Sequence, residues 1–327
     1  MSTRDRTNEI LEIKRRDSAG HGILSYNLLA LSKEWQNAAK GQGSLPDFYL
    51  IRAVTILEVS TRRQMAQLID HAKEFTDRAV ELSKNFKMDF ATVRDIQGRA
   101  ITLGDIVAHS VPVNAFGQIL DYFETLLGKP LRPLLAGAVD RWRTEIEEEP
   151  PEPIISDFDG LANRLGRLFK IRHILCHELP AKPVYSVTEV GDFLDDAVRF
   201  TKALEEVLTF EQYGLVPLTQ TGMNIEVGER LRATEEELNR LLDSVRDHLA
   251  KFGEVPASFN RIGGTWLSCF NDAQEKWLAY RNAHCDSMTY LSQGGTIRGL
   301  LWASDATKIT KDRISSLRTW FELESGE

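Results

Sequence analysis

A chain of 327 residues, 42% of them hydrophobic, is long enough for two or three domains with real cores and needs no covalent staple to fold. Its three cysteines, Cys176, Cys269 and Cys285, show no C-x-x-C pairing, which excludes a disulfide framework and a zinc site of ribbon or finger spacing. The formal net charge of −8 excludes a protein that coats nucleic acid through an overall positive field, while leaving room for a local basic groove.

From the N-terminus onward, Met1 to Asp17 is charged and carries no apolar run of signal-peptide length. No later stretch approaches the roughly 18 apolar residues of a membrane span. The expectation is a cytoplasmic protein in a reducing compartment, with no membrane association. Strand signals are scarce and apolar residues recur at three- and four-residue spacing, so the expected fold class is all-α. Helices are predicted near 19–40, 46–84, 88–109, 113–127, 131–147, 158–179, 187–212, 224–252, 257–291 and 296–323. Ser44 is a cap candidate ahead of Pro46, and the helix it opens reads as long. Glu147-Glu148-Glu149-Pro150-Pro151-Glu152-Pro153 joins helix-breaking prolines to like charges and reads as an exposed loop. Tyr213 to Thr221, where Gly214, Pro217 and Gly222 interrupt two helical stretches, is the best boundary between an N-terminal domain, 1–215, and a smaller one, 222–327.

The sequence Arg172-His173-Ile174-Leu175-Cys176-His177 closes the helix predicted over 158–179. On that helix Leu161, Leu165, Leu168, Phe169, Leu175, Cys176 and Leu179 form one apolar stripe, with Cys176 read as a small core residue. Arg172 falls in the middle of the stripe, where a guanidinium must be paired, wetted in a cleft or held at an interface. Arg164, Arg167 and Lys170 precede it on the polar flanks, either steering a phosphate backbone or forming a solvated face. An arginine and an imidazole supply what metal-free RNA cleavage by 2′-hydroxyl attack requires. The imidazole transfers protons, and the guanidinium binds the non-bridging phosphate oxygens. The plain alternative is that His173 and His177 only pack or cap a helix end, where the dipole favours a cation. Five residues of ideal helix turn the direction by about 140°, so Arg172 and His177 diverge unless the helix end bends or a second copy completes the site.

R-H-I-L-C-H resembles the R-x4–6-H signature of HEPN domains, with His173 in the polar position that often follows the arginine. The helical segments Leu45 to Leu82, Ile101 to Gly128, and the motif helix followed by Ser186 to Tyr213 extend the resemblance over about residues 18–213. It implies an HEPN-like helical bundle and a metal-independent endoribonuclease that dimerises across its motif helices, of toxin or antiphage-defence type. The implied catalytic residues are Arg172 and His177, with His173 auxiliary. No cofactor and no metal are expected. The expected partners are an RNA substrate, a second copy of the chain, and an antitoxin or trigger protein.

From about Asn224 to Trp320 the chain resembles the helical domain of lysozyme-inhibitor LprI-type proteins. Gln274, Trp277, Tyr280, Arg281 and Cys285 form the block Q-x2-W-x2-Y-R-x3-C, followed by Gly294-Gly295-Thr296 and by Thr310 with Arg313. Secreted members of that family carry a signal peptide and further cysteines. Here Asp305 stands where a partner for Cys285 is usual, which argues against an oxidising compartment and against lysozyme inhibition itself. Arg281 and His284 form a second close Arg/His pair, but the family pattern gives Arg281 a structural reading. Beside the ribonuclease stands a non-enzymatic alternative, a helical regulator or antitoxin-like module that binds a partner protein. A periplasmic enzyme inhibitor is a third, disfavoured by the missing export signal.

Overall fold

The computed structural model describes residues 3–16, 24–38, 45–83, 101–178, 180, 182–253, 256, 259 and 261–325. Those residues form thirteen α-helices and no strand, an all-α protein. The chain divides into two compact units, Met1–Leu215 and Val216–Glu327.

The first unit is built around α3, Leu45–His71, with α1 (Thr3–Arg16), α2 (Leu24–Asn37), α4 (Lys73–Ala79), α5 (Leu103–Ser110), α6 (Phe116–Leu127), α7 (Leu131–Gly137), α8 (Arg141–Glu145), α9 (Phe158–His177) and α10 (Val187–Tyr213). Leu50, Val54, Leu57, Met65, Leu68 and Ile69 are buried on α3, which packs against α2, α5, α9 and α10. Aromatic side chains fill the space between the helices. Trp35 meets Tyr49 edge-on at 5.3 Å and Phe116 meets Phe200 at 4.9 Å, in the T-shaped geometry that ring quadrupoles favour.

Several helix ends follow directly from capping chemistry. Thr102 and Asp105 close a reciprocal capping box at the start of α5, Thr102 Oγ1 accepting from Asp105 N at 3.1 Å and Asp105 Oδ2 from Thr102 N at 2.8 Å. Asp157 Oδ1 accepts from Gly160 N at 2.9 Å and opens α9. Gly104 lets α5 lie against α3, because a Cβ there would sit 2.3 Å from the Ala66 carbonyl oxygen.

The long helix expected over 46–84 is in fact two. Ala72 turns extended, and α4 restarts so that Phe75 and Ala79 enter the core, with Thr76 Oγ1 donating to Ile69 O at 2.6 Å across the break. The helix expected over 131–147 also divides. Val139 pairs with Pro153 in an isolated antiparallel bridge, and Asp140 then caps α8 through Arg143 N at 3.2 Å. The acidic proline-rich run between them is exposed apart from partly covered Glu149, as expected of a loop. Of the range 88–109 expected to be helical, residues 101–109 are described, and they are helical from Leu103 in α5, Leu103–Ser110; Ser44 and Leu179 lie outside the described residues.

The second unit is a three-helix arrangement of α11 (Gln220–Leu249), α12 (Trp266–Met288) and α13 (Arg298–Ser325), with a 3-10 turn at Tyr290–Ser292. Helix α11 starts four residues before the expected Asn224, because Thr219 Oγ1 accepts from Gly222 N at 3.1 Å. Gly222 therefore belongs to the first helical turn and does not interrupt it. Helix α12 begins at Trp266 instead of 257, since Gly263 and Gly264 adopt φ of 81° and 73°, left-handed conformations that no helix accommodates. Leu238, Leu242, Ile314 and Leu317 form the small apolar core, with Phe270, Trp277 and Trp320 packed on it.

Two glycine substitutions separate close packing from intrinsic propensity. Gly104→Ala is expected to destabilise the first unit by about 1–3 kcal/mol, since the clash is with backbone. Gly166→Ala, mid-helix on α9 with nothing within 4 Å of an added Cβ, is expected to stabilise by about 0.5–1 kcal/mol. Urea unfolding followed by circular dichroism measures both.

Candidate functional site

The last turn of α9 carries the Arg/His motif, and the structure explains how it is held. Leu161, Leu165, Leu168, Phe169 and Ile171 are buried, anchoring the helix against α3, α6, α7 and α10. The core does not cover the stripe to its end. Leu175 is half-buried and Cys176 is exposed, so the reading of Cys176 as a core residue is corrected. Helix α9 stops at His177, two residues short of the expected end, and Glu178 is extended with φ −128°.

Arg172 is half-buried, with 28% of its side chain exposed, and its Nη2 lies 3.5 Å from Glu58 Oε1 on α3. Its Nε is buried with no hydrogen-bond partner among the described residues. Burial raises the Glu58 carboxyl above its ordinary range, and the neighbouring cations Arg172 and Arg62 pull it back only in part. The guanidinium is thus paired, one of the three outcomes open to an arginine within an apolar stripe. His173 and His177, one turn apart, are both exposed, with ring centroids 4.8 Å from each other. The structure therefore brings the two imidazoles together and places Arg172 on a different side of a continuous α-helix.

The basic flank is largely committed elsewhere. Arg164 makes a two-pronged ion pair with Asp196, a carboxylate buried to 3% side-chain exposure, and Arg167 pairs with Glu189 at 3.1 Å. Lys170 is exposed. Glu58 and Arg62 escaped the sequence reading because no local motif marks them. Only the packing of α3 against α9 brings Glu58 to Arg172.

His109, near the end of α5, is held below the ordinary imidazole range by burial and by Arg62. His71 lies 2.7 Å from the Gln212 carbonyl oxygen, a packing role at the end of α3. Among the described residues no group of histidine, cysteine and carboxylate side chains is arranged to hold a metal ion. None of the described helices is long and apolar enough to cross a membrane.

In the second unit Gln274, Trp277, Arg281 and Cys285 of the Q-x2-W-x2-Y-R-x3-C block turn inward, while Tyr280 is exposed. Arg281, 4% exposed, pairs with Glu235 on α11 at 2.7 Å and donates to Thr310 Oγ1 on α13 at 3.1 Å. Its guanidinium lies 5.6 Å from the Trp277 ring centre, and that of Arg313 lies 5.8 Å from the same ring. Arg313 Nε in turn donates to Gln274 Oε1 at 3.2 Å. Gln274, Trp277, Arg281, Thr310 and Arg313 thus form one network tying α12 to α13, and Arg281 extends it to α11. Cys285 is fully buried, and its thiol is pushed up by burial and by the Asp305 carboxylate, which keeps it protonated and unreactive. The Arg281/His284 pair is accordingly no second site, since Arg281 is consumed by structure.

That network carries the residues of a known family, and comparison agrees: the profile described as Lysozyme inhibitor LprI matches residues 217–317. Residues 217–317 are an LprI-type domain. An uncharacterized protein of Rhizobium meliloti (strain 1021) is 22% identical over 109 residues, 32% of this chain and 76% of that protein. No solved structure matches the chain.

Removing Arg281 from the LprI-type domain leaves a buried gap and unpaired partners. Arg281→Ala is expected to lower stability by about 3 kcal/mol, with Arg281→Lys recovering only part because it loses the planar contact to Trp277. Urea denaturation reads both.

Glu58 adds a pH dependence of known sign. Its carboxyl is raised in the folded protein, so its ionisation opposes folding progressively as pH rises above the ordinary carboxylate range. Wild type should therefore lose stability relative to Glu58→Gln on going from about pH 4.5 to about pH 7, a difference that paired urea titrations at the two pH values would measure.

Proposed function

We propose that residues 1–215 are an HEPN-type, metal-independent endoribonuclease acting as a homodimer, with Arg172 and His177 as its catalytic residues and His173 auxiliary. The observation that carries this reading is the open end of α9. His173 and His177 lie exposed on one side, while Arg172 is held by Glu58 with part of its side chain exposed. Because α9 runs unbent to His177, a single chain does not turn both groups onto one phosphate. A second copy docked across the exposed helix ends supplies the missing half.

In the reaction an imidazole removes the 2′-hydroxyl proton, and the 2′-oxygen attacks the adjacent phosphorus. The P–O5′ bond breaks, and the leaving 5′-oxygen takes a proton from a protonated imidazole. Arg172 donates to the non-bridging oxygens as their charge builds. The products carry a 2′,3′-cyclic phosphate and a 5′-hydroxyl. The LprI-type domain serves in this reading as the part that senses a trigger or holds the nuclease in check, and the protein works in the cytoplasm as a toxin or antiphage effector.

The non-catalytic reading has its own supporting observation. The Glu58–Arg172 pair is what a purely structural arginine in an apolar stripe would make, leaving a helical regulator or antitoxin-like module that binds a protein partner.

Purified full-length protein is incubated with RNA in EDTA, and the cut ends are mapped. Wild type is expected to yield cyclic-phosphate ends, with His177→Ala slower by about 10²–10⁴-fold and Arg172→Ala by about 10²–10³-fold. Mixing the two inactive variants should restore part of the activity, because a mixed dimer rebuilds one intact composite site. An uncut RNA with wild type, together with lost self-association in both variants, would establish the binding module instead.

A further inference from the structure

The LprI-type domain has an open cleft beside the Gly294-Gly295-Thr296 part of its signature and apart from the inward-turned network of Gln274, Trp277, Arg281, Thr310 and Arg313. It is lined by Asp286 at the end of α12, by Gly294, Gly295 and Thr296, and by Arg298, Gly299 and Trp302 at the start of α13, and encloses about 670 Å³. We propose that this cleft binds a neutral oligosaccharide.

The charges argue for a neutral ligand. Arg298 Nη2 donates to Asp286 Oδ1 at 2.9 Å, and Trp302 Nε1 donates to the same oxygen at 3.1 Å, so the cation already has its counter-ion. A phosphate or carboxylate would have to displace Asp286 to gain Arg298, whereas hydroxyl groups can accept from the arginine and donate to the carboxylate without breaking the pair.

Shape points the same way. Trp302 lies one helical turn beyond Arg298 on the same face, giving a flat apolar surface beside the polar pair, the combination that matches the C–H face and hydroxyl edge of a pyranose ring. Three glycines leave the backbone accessible beside it.

The cleft is pre-formed, which lowers the ordering cost of binding. Thr289, buried, donates from Oγ1 to Cys285 O at 2.8 Å. Gly294 takes φ 78°, Gly295 N donates to Ser292 O at 3.1 Å, and Asn224 Nδ2 of α11 donates to Thr296 O at 3.1 Å.

The test uses full-length protein with maltohexaose, cellohexaose and chitohexaose as probes, and with inorganic phosphate and acetate as separate arms, read by ligand-observed NMR and calorimetry. Binding of at least one oligosaccharide is expected, with affinity falling more than about tenfold in Asp286→Ala from the lost hydrogen bonds. Gly299→Leu should block the cleft without unfolding it, because a Cβ there meets only the Asn224 side chain at 3.8 Å; circular dichroism checks the fold. The proposal is overturned if no oligosaccharide binds at millimolar concentration, if Gly299→Leu binds as well as wild type, or if phosphate or acetate binds and the sugars do not.

Discussion

The burial of helix α9 against α3 is the constraint on which the first unit turns. Leu161, Leu165, Leu168, Phe169 and Ile171 give it a deep anchor, and that anchor fixes where the next turn must stand. Arg172 follows directly after the last buried residue, at the edge of the core. There a guanidinium is neither free in water nor sealed away, and it pairs with Glu58 on α3. The pair is long at 3.5 Å, and the carboxyl carries the cost of burial as a raised pKa. An ion pair of that kind orients the arginine more than it stabilises the fold. An arginine oriented in this way, with part of its side chain still exposed, is suited to meet a phosphate, and equally to meet a neighbouring subunit.

The helices were legible in the sequence because their apolar residues recur at helical spacing, and α9 began at Phe158, where the periodicity placed it. The breaks at Ala72 and Ala138 were harder. Nothing at Ala72 marks a helix end, and the kink exists because Phe75 and Ala79 find the core only after the chain changes direction. At Ala138 a signal was present in Gly137 before it and Asp140 after it, a stop followed by a cap, which the continuous apolar pattern outweighed.

The motif residues were readable from one anomaly, a cation within an apolar stripe. Their surroundings were not. Glu58 lies more than a hundred positions before Arg172, and a pairing over that distance in the chain is created by tertiary packing alone. Cys176 was misread because a periodic stripe says which face is apolar, not how far along the helix the core extends. The exposed turn that results is where chemistry or association at this helix end has room to occur.

In the LprI-type domain the relation between motif and surface is reversed. Its most recognisable residues, Trp277, Arg281, Thr310 and Arg313, are joined to one another across α12 and α13, in keeping with the structural reading that the family pattern gives Arg281. Three helices with an apolar core as small as Leu238, Leu242, Ile314 and Leu317 need such a polar lock, because hydrophobic burial alone gives little margin at this size. Cys285 fits the same logic. Beside Asp305 and without a thiol partner, it fills space as a buried protonated group. A family signature made of residues locked together inside preserves a fold and leaves the outer surface free to change its ligand. The Asp286, Arg298 and Trp302 cluster lies outside the buried network, where substitutions can alter the surface without loosening the three-helix lock.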